Sequence, residues 1–153
     1  MSDNAYFLEH RNPNEEFVRE KTNIKKMNKK DLLNELFKKY ELNPEDTFKH
    51  KHFHIITRSG IDKIQGLSKI NITYELKHYS PEKNTCIIQA FGKKGTKEIQ
   101  TFGEANPENN RNSYPVAIAE KRAMSRIVLK LCGFYELGIF GEDEAEDFKK
   151  SNN

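Results

Sequence analysis

The chain carries no tryptophan, only two cysteines among 153 residues, and no apolar run long enough to cross a bilayer. Each shortage argues against a class of protein. Cys86 and Cys132 fall inside a strand-like and a helix-like segment, which points to buried thiols rather than a disulfide framework or a structural zinc site. The missing apolar run leaves no membrane span, and with no signal-peptide pattern at Met1 the expected location is the cytoplasm, in a bacterial host cell if the chain is phage-encoded. Catalytic signatures are also lacking. There is no GxSxG, no dinucleotide fingerprint and no thiol placed beside a base, and Gly92-Lys93-Lys94-Gly95-Thr96 does not have the spacing of a phosphate loop. No enzymatic activity and no cofactor are expected. His50, His52 and His54 alternate, which on a strand would set them on one side, yet no cysteine pair or HExxH completes a ligand set, so no metal is expected.

What remains is mostly charge: 32% of residues are charged and 35% hydrophobic, with a formal net charge of +3. The balance is uneven. Residues 1–50 hold ten Lys/Arg and ten Asp/Glu, residues 51–133 hold fourteen and seven, and residues 134–153 hold two and six. A basic middle followed by an acidic end implies a polyanionic ligand and a tail that competes with it or recruits a basic partner.

Local patterning divides the chain into a loose arm over residues 1–27, containing Phe7, Phe17 and Val18, a single α+β domain over 28–148, and a tail over 149–153. Asn28 can cap a helix with Leu32, Leu33, Leu36, Phe37 and Tyr40 on one side. Strand-like alternation follows over Phe53–Thr57, and Ser59-Gly60 is expected to break it before a short element at Ile61–Gln65. Residues 70–78 alternate cleanly, with Ile70, Ile72, Tyr74 and Leu76 on the buried face of a half-buried strand. Turns at Ser80–Asn84 and Gly92–Gly95 join it to strands over Thr85–Phe91 and Thr96–Phe102, an antiparallel meander.

A long amphipathic helix comes next. Pro115 suits its first turn and Gly133 its end, and Val116, Ala119, Ala123, Ile127 and Leu131 form an apolar stripe to be buried on the meander. Arg122, Arg126 and Lys130 recur four residues apart on the other face with Lys121 beside them, a row whose pitch fits a phosphate backbone. Lys93, Lys94 and Lys97 at the turn are candidates for a second wall of the groove, and Arg58 and Lys63 for its extension. Of the aromatics near the strands, Tyr74, Phe91 and Phe102 are expected in the core, while Tyr79, near Pro81, is expected to be exposed and to stack on a base.

The order of a strand meander, then Ala119-Glu120-Lys121-Arg122-Ala123-Met124 on a long helix, Gly133 at its end and a hydrophobic sequel at 134–140, resembles the phage single-strand annealing proteins of the Erf and Sak type. The resemblance covers roughly residues 48–148. It implies single-stranded DNA bound in a groove between sheet and helix, annealing of complementary strands in recombination or replication, and assembly into homo-oligomeric rings or filaments. The segment 141–148, GEDEAEDF, resembles the acidic tails of single-stranded-DNA-binding proteins, which implies a replication or recombination partner. Its other reading is a short acidic helix packed on the domain. A rival function is a non-catalytic protein–protein adaptor that docks one partner on the basic helix and another on the acidic tail.

Overall fold

A computed structural model describes residues 27–145. The arm over residues 1–26, with Phe7, Phe17 and Val18, and the end of the chain over 146–153, with Phe148, lie outside the described residues. The chain divides into two units, Met1–Glu35 and Leu36–Asn153, and the division falls inside helix α1 (Lys29–Lys39). In the first unit, the Asn28 side chain caps α1 by accepting the Asp31 N–H at 2.8 Å.

In the second unit a 3₁₀ turn (Pro44–Asp46) leads into β1 (Thr47–His50), β2 (Phe53–Ile56), α2 (Arg58–Ser68), β3 (Asn71–Ser80), β4 (Thr85–Lys94) and β5 (Lys97–Ala105). Helix α3 (Pro115–Leu131), a second 3₁₀ turn (Tyr135–Leu137) and β6 (Phe140–Gly141) complete it. Strands β3, β4 and β5 form the antiparallel meander, and β1, β2 and β6 form a small second sheet in which β6 runs parallel to β2. The α+β architecture with the meander packed on the long helix is as the sequence predicts.

Register sorts the meander into two faces. Cys86, Ile88, Ala90 and Gly92 on β4 pair with Ala105, Gly103, Thr101 and Ile99 on β5, and this face meets α3. The approach is backbone to backbone: a Cβ at Gly103 would land on the Ala119 carbonyl, and Thr101 Oγ1 donates to the Ala123 carbonyl at 2.7 Å. A helix is roughly 10 Å wide and strands lie about 4.8 Å apart, so one helix covers two strands. Strand β3 is left over. Its Tyr74 and Leu76, expected inside, are 41% and 57% exposed, and the strand is therefore an open edge rather than a half-buried one.

Two further expectations are corrected. Ser59-Gly60 does not break the chain but lies in the first turn of α2, where Thr57 Oγ1 accepts the Gly60 N–H at 3.2 Å and Ile61 and Ile64 point into the core. Glycine is needed there for space, since a Cβ would sit 2.7 Å from Ile56 Cγ2. Nor is α3 amphipathic along its whole length. Its far side meets β6 and α2, with Gly141 against both Ile61 and Ser125, so residues 122–125 and 127–129 are buried all round.

Candidate nucleic-acid interface

The cation row turns inward. Arg122 is 2% exposed, and its guanidinium donates to the Glu104 carbonyl at 2.8 Å, to Asn109 Oδ1 at 2.9 Å, to the Asn109 carbonyl at 2.7 Å and to the Asp143 carbonyl at 3.4 Å. Arg126 pairs with the Glu144 carboxylate at 2.5 Å and donates to the Phe102 carbonyl at 2.5 Å. Lys130 is exposed, with its ammonium 5.0 Å from the Tyr135 ring centroid. The expectation of a solvent-facing row is thus overturned for both arginines, and geometry gives the reason. Four helical residues rise about 6 Å, and alternate residues of a strand lie about 6.7 Å apart. The pitch that suits phosphates also suits the Phe102 and Glu104 carbonyls on the outer edge of β5, which need donors.

The acidic segment closes over the same place. Glu142 accepts the Arg58 N–H at 2.9 Å at the start of α2, Asp143 accepts from Ser125 Oγ at 3.0 Å, and Glu144 holds Arg126. Residues 142–145 are helical and Glu144 and Ala145 are buried. In its described part the segment therefore packs on the fold, as the second of its two readings held.

Other expected contacts are dispersed. Lys63 donates to Asp46 Oδ2 at 2.7 Å and to the Glu41 carbonyl at 3.2 Å, tying α2 to the 3₁₀ turn. Lys63 and the Asn43 N–H hold the buried Asp46 carboxyl below the usual carboxylate range, the Lys63 hydrogen bond being the largest cause. Lys94 donates to Tyr40 Oη at 3.1 Å and is structural too. Lys93 faces the other side of the sheet, 3.5 Å from Glu98, while Lys97 is exposed opposite Lys94. The turn carrying these lysines lies past the C-terminal end of α3, where Gly92 meets Ile127 and Leu131. Lys121, ten residues before Leu131, is about 15 Å away along the axis, so the turn and Lys121 do not wall one groove. The histidines separate as well: His54 pairs with Lys49 and His50 with Phe53, on opposite faces of the hairpin, and His52 sits in its turn.

What the structure does bring together is aromatic. On the side of the meander that faces α3, the uncovered β3 presents Tyr74, Leu76 and Tyr79, and Tyr114 stands 70% exposed at the start of the helix. Tyr79 and Tyr114 both line a groove of about 360 Å³, together with Ser113, Pro115, Val116, Ala117 and Glu120. Arg58 reaches toward the same strip. The Tyr74 phenol is pushed above the usual tyrosine range by burial of its hydroxyl end and by the Glu120 carboxylate, against an opposing pull from the Arg58 guanidinium, so β3, α3 and α2 converge there. Arg58 remains 40% exposed although it pairs with Asp62 at 3.3 Å, and Lys121 is exposed next to Glu120. Tyr79 is exposed as the sequence predicts, whereas Tyr74 and Tyr114 were missed. For Tyr114 a signal existed, because a residue before proline is held out of the helix and its ring leaves the helix face.

The opposite face of the meander is also open: Phe91 and Phe102 are exposed on it, and Phe91 lines a depression of about 460 Å³ with Lys93 and Glu98. Register places Glu75, Glu98 and Glu104 on that face, where Lys93 lies against Glu98 and Lys77 against Glu75, so it carries no excess of positive charge to attract phosphate. No family model, no curated protein and no solved structure matches the chain, so its function is argued from these surfaces.

Proposed function

We propose that the protein binds single-stranded DNA along the tyrosine strip of β3 and α3 and brings complementary strands together, without catalysing a reaction. The carrying observation is the set of three exposed tyrosines, Tyr74, Tyr79 and Tyr114, on one uncovered strip beside Arg58 and Lys121. Bases of any sequence stack on such rings, each stack contributing about 1–3 kcal/mol, while the flanking cations take the backbone. Duplex DNA hides its base faces, which is why this strip suits a single strand. The resemblance to annealing proteins supports the same reading, as does the basic balance of residues 51–133. Recombination or replication in a bacterial cytoplasm is the corresponding setting, with copies of the chain acting together.

The adaptor reading has less support, because its two docking surfaces engage each other: Glu144 occupies Arg126, and Asp143 sits against Arg58 and Ser125. Fluorescence anisotropy with labelled oligonucleotides tests the proposal. Affinity is expected to rise with strand length, to fall log-linearly with salt at about −0.7 per phosphate contact, and to lose roughly one such contact in Lys121→Ala. Binding that is absent at low salt, or as tight for duplex as for single strands, contradicts it. Strand annealing is then read from energy transfer between complementary labelled strands.

A further inference from the structure

We propose that β3 is a two-fold self-pairing edge through which two copies of the chain join their sheets. A three-stranded sheet has two edges, and here they differ. The β5 edge is occupied: Arg126 Nη1 donates to the Phe102 carbonyl, and Arg122 Nη1 and Asn109 Nδ2 both donate to the Glu104 carbonyl. Along β3, ten residues long, no described residue hydrogen-bonds to the outer backbone edge. An open strand edge of this length is a template for another strand. Head-to-tail growth from β3 of one copy to β5 of the next is blocked by the arginines. Of the two described edges of this sheet, that leaves β3 to pair with β3, and an antiparallel self-pair is isologous and closes at two chains.

The side chains fit that pairing. At the centre of the strand stand Glu75, Leu76 and Lys77, and Leu76 is the most exposed apolar side chain on any described strand, at 57%. Pairing centred on Leu76 sets the two leucines together and places Glu75 of each copy opposite Lys77 of the other. Within one chain Glu75 and Lys77 pair with each other at 2.9 Å, both exposed, so dimerisation exchanges one ion pair along each strand for two across the seam. Lys77 is the extra residue of the bulge between Leu76 and His78, and when both strands carry that bulge at the same distance from the two-fold, Tyr74 of one copy meets Tyr79 of the other. A lone edge lysine repels its own copy. Here the neighbouring glutamate cancels the repulsion for this partner and this register.

Charge reversal tests the proposal by sedimentation velocity over a concentration series. The wild-type chain is expected to be a concentration-dependent dimer. Glu75→Lys and Lys77→Glu each set like charges opposite one another twice, and each is expected to weaken self-association by at least about tenfold. Both positions are exposed, so at concentrations below the dimerisation range the thermal melts of the two variants should match the wild type. The double variant E75K/K77E restores complementarity and dimerises again, and an equimolar mixture of the two single variants forms the heterodimer. A wild-type chain that stays monomeric, single variants that associate as tightly as wild type, or a double variant and mixture that fail to recover would each overturn it.

Discussion

Replacing Arg122 separates a structural role from a ligand-binding one. In Arg122→Ala the Asn109 carbonyl, Asn109 Oδ1 and the Asp143 carbonyl lose a charged donor, and the Glu104 carbonyl keeps only a long 3.5 Å contact from Asn109 Nδ2. A hydrogen bond to a charged group contributes about 1.5–3 kcal/mol net, and the terms do not add fully when one group makes them all. A buried acceptor left without its donor costs about 1–3 kcal/mol, and at 2% exposure of Arg122 several are left at once, so the loss is expected to be about 3 kcal/mol or more. Against a total stability of about 5–15 kcal/mol, that loss is a large fraction. Arg122→Lys keeps the charge and loses the planar fork, so it should recover only part. Urea unfolding followed by circular dichroism measures both, with the slope of the transition unchanged. A loss below about 1 kcal/mol combined with a large fall in oligonucleotide affinity would instead assign the row to the ligand.

Two further perturbations probe the frame. Gly103→Ala forces a methyl onto the Ala119 carbonyl and to 2.6 Å from the Ala123 nitrogen, so α3 must lift from β5 at a cost of about 3 kcal/mol or more. Gly66→Ala, in helical backbone with nothing within 4 Å of its Cβ, should instead be neutral or stabilising by up to about 1 kcal/mol, and thermal melts compare the two. Asp46→Asn should cost about 1–3 kcal/mol at neutral pH. Because the folded-state pKa of Asp46 lies below its unfolded value, its stabilisation is present above about pH 4 and lost as the pH falls below it. The gap between wild type and Asp46→Asn in urea midpoint must therefore narrow in acid, and a gap constant with pH would contradict the assignment.

The meander and α3 were legible because their signals are local: alternation within each strand, turn residues between them, Pro115 and Gly133 at the helix ends. The layer on the far side of α3 was not. β6 is two residues long, too short to carry a period, and α2 hides its start behind a glycine that reads as a breaker. Arg122 and Arg126 misled for a physical reason. Their partners are mostly backbone carbonyls, at Phe102, Glu104, Asn109 and Asp143, and no side-chain pattern in a sequence announces an unpaired strand edge. The exposure of Tyr74 and Leu76 was hidden likewise, since burial on a sheet depends on how many strands the covering helix spans.

With no tryptophan and six tyrosines, the chain offers its own reporter. Titrating oligothymidylate while following tyrosine emission tests the tyrosine strip most directly. Quenching is expected to saturate with binding and to disappear in the triple variant Tyr74→Leu, Tyr79→Leu, Tyr114→Leu, whose melt stays close to wild type. Emission that DNA leaves unchanged, or quenching that survives in the triple variant, would contradict binding there.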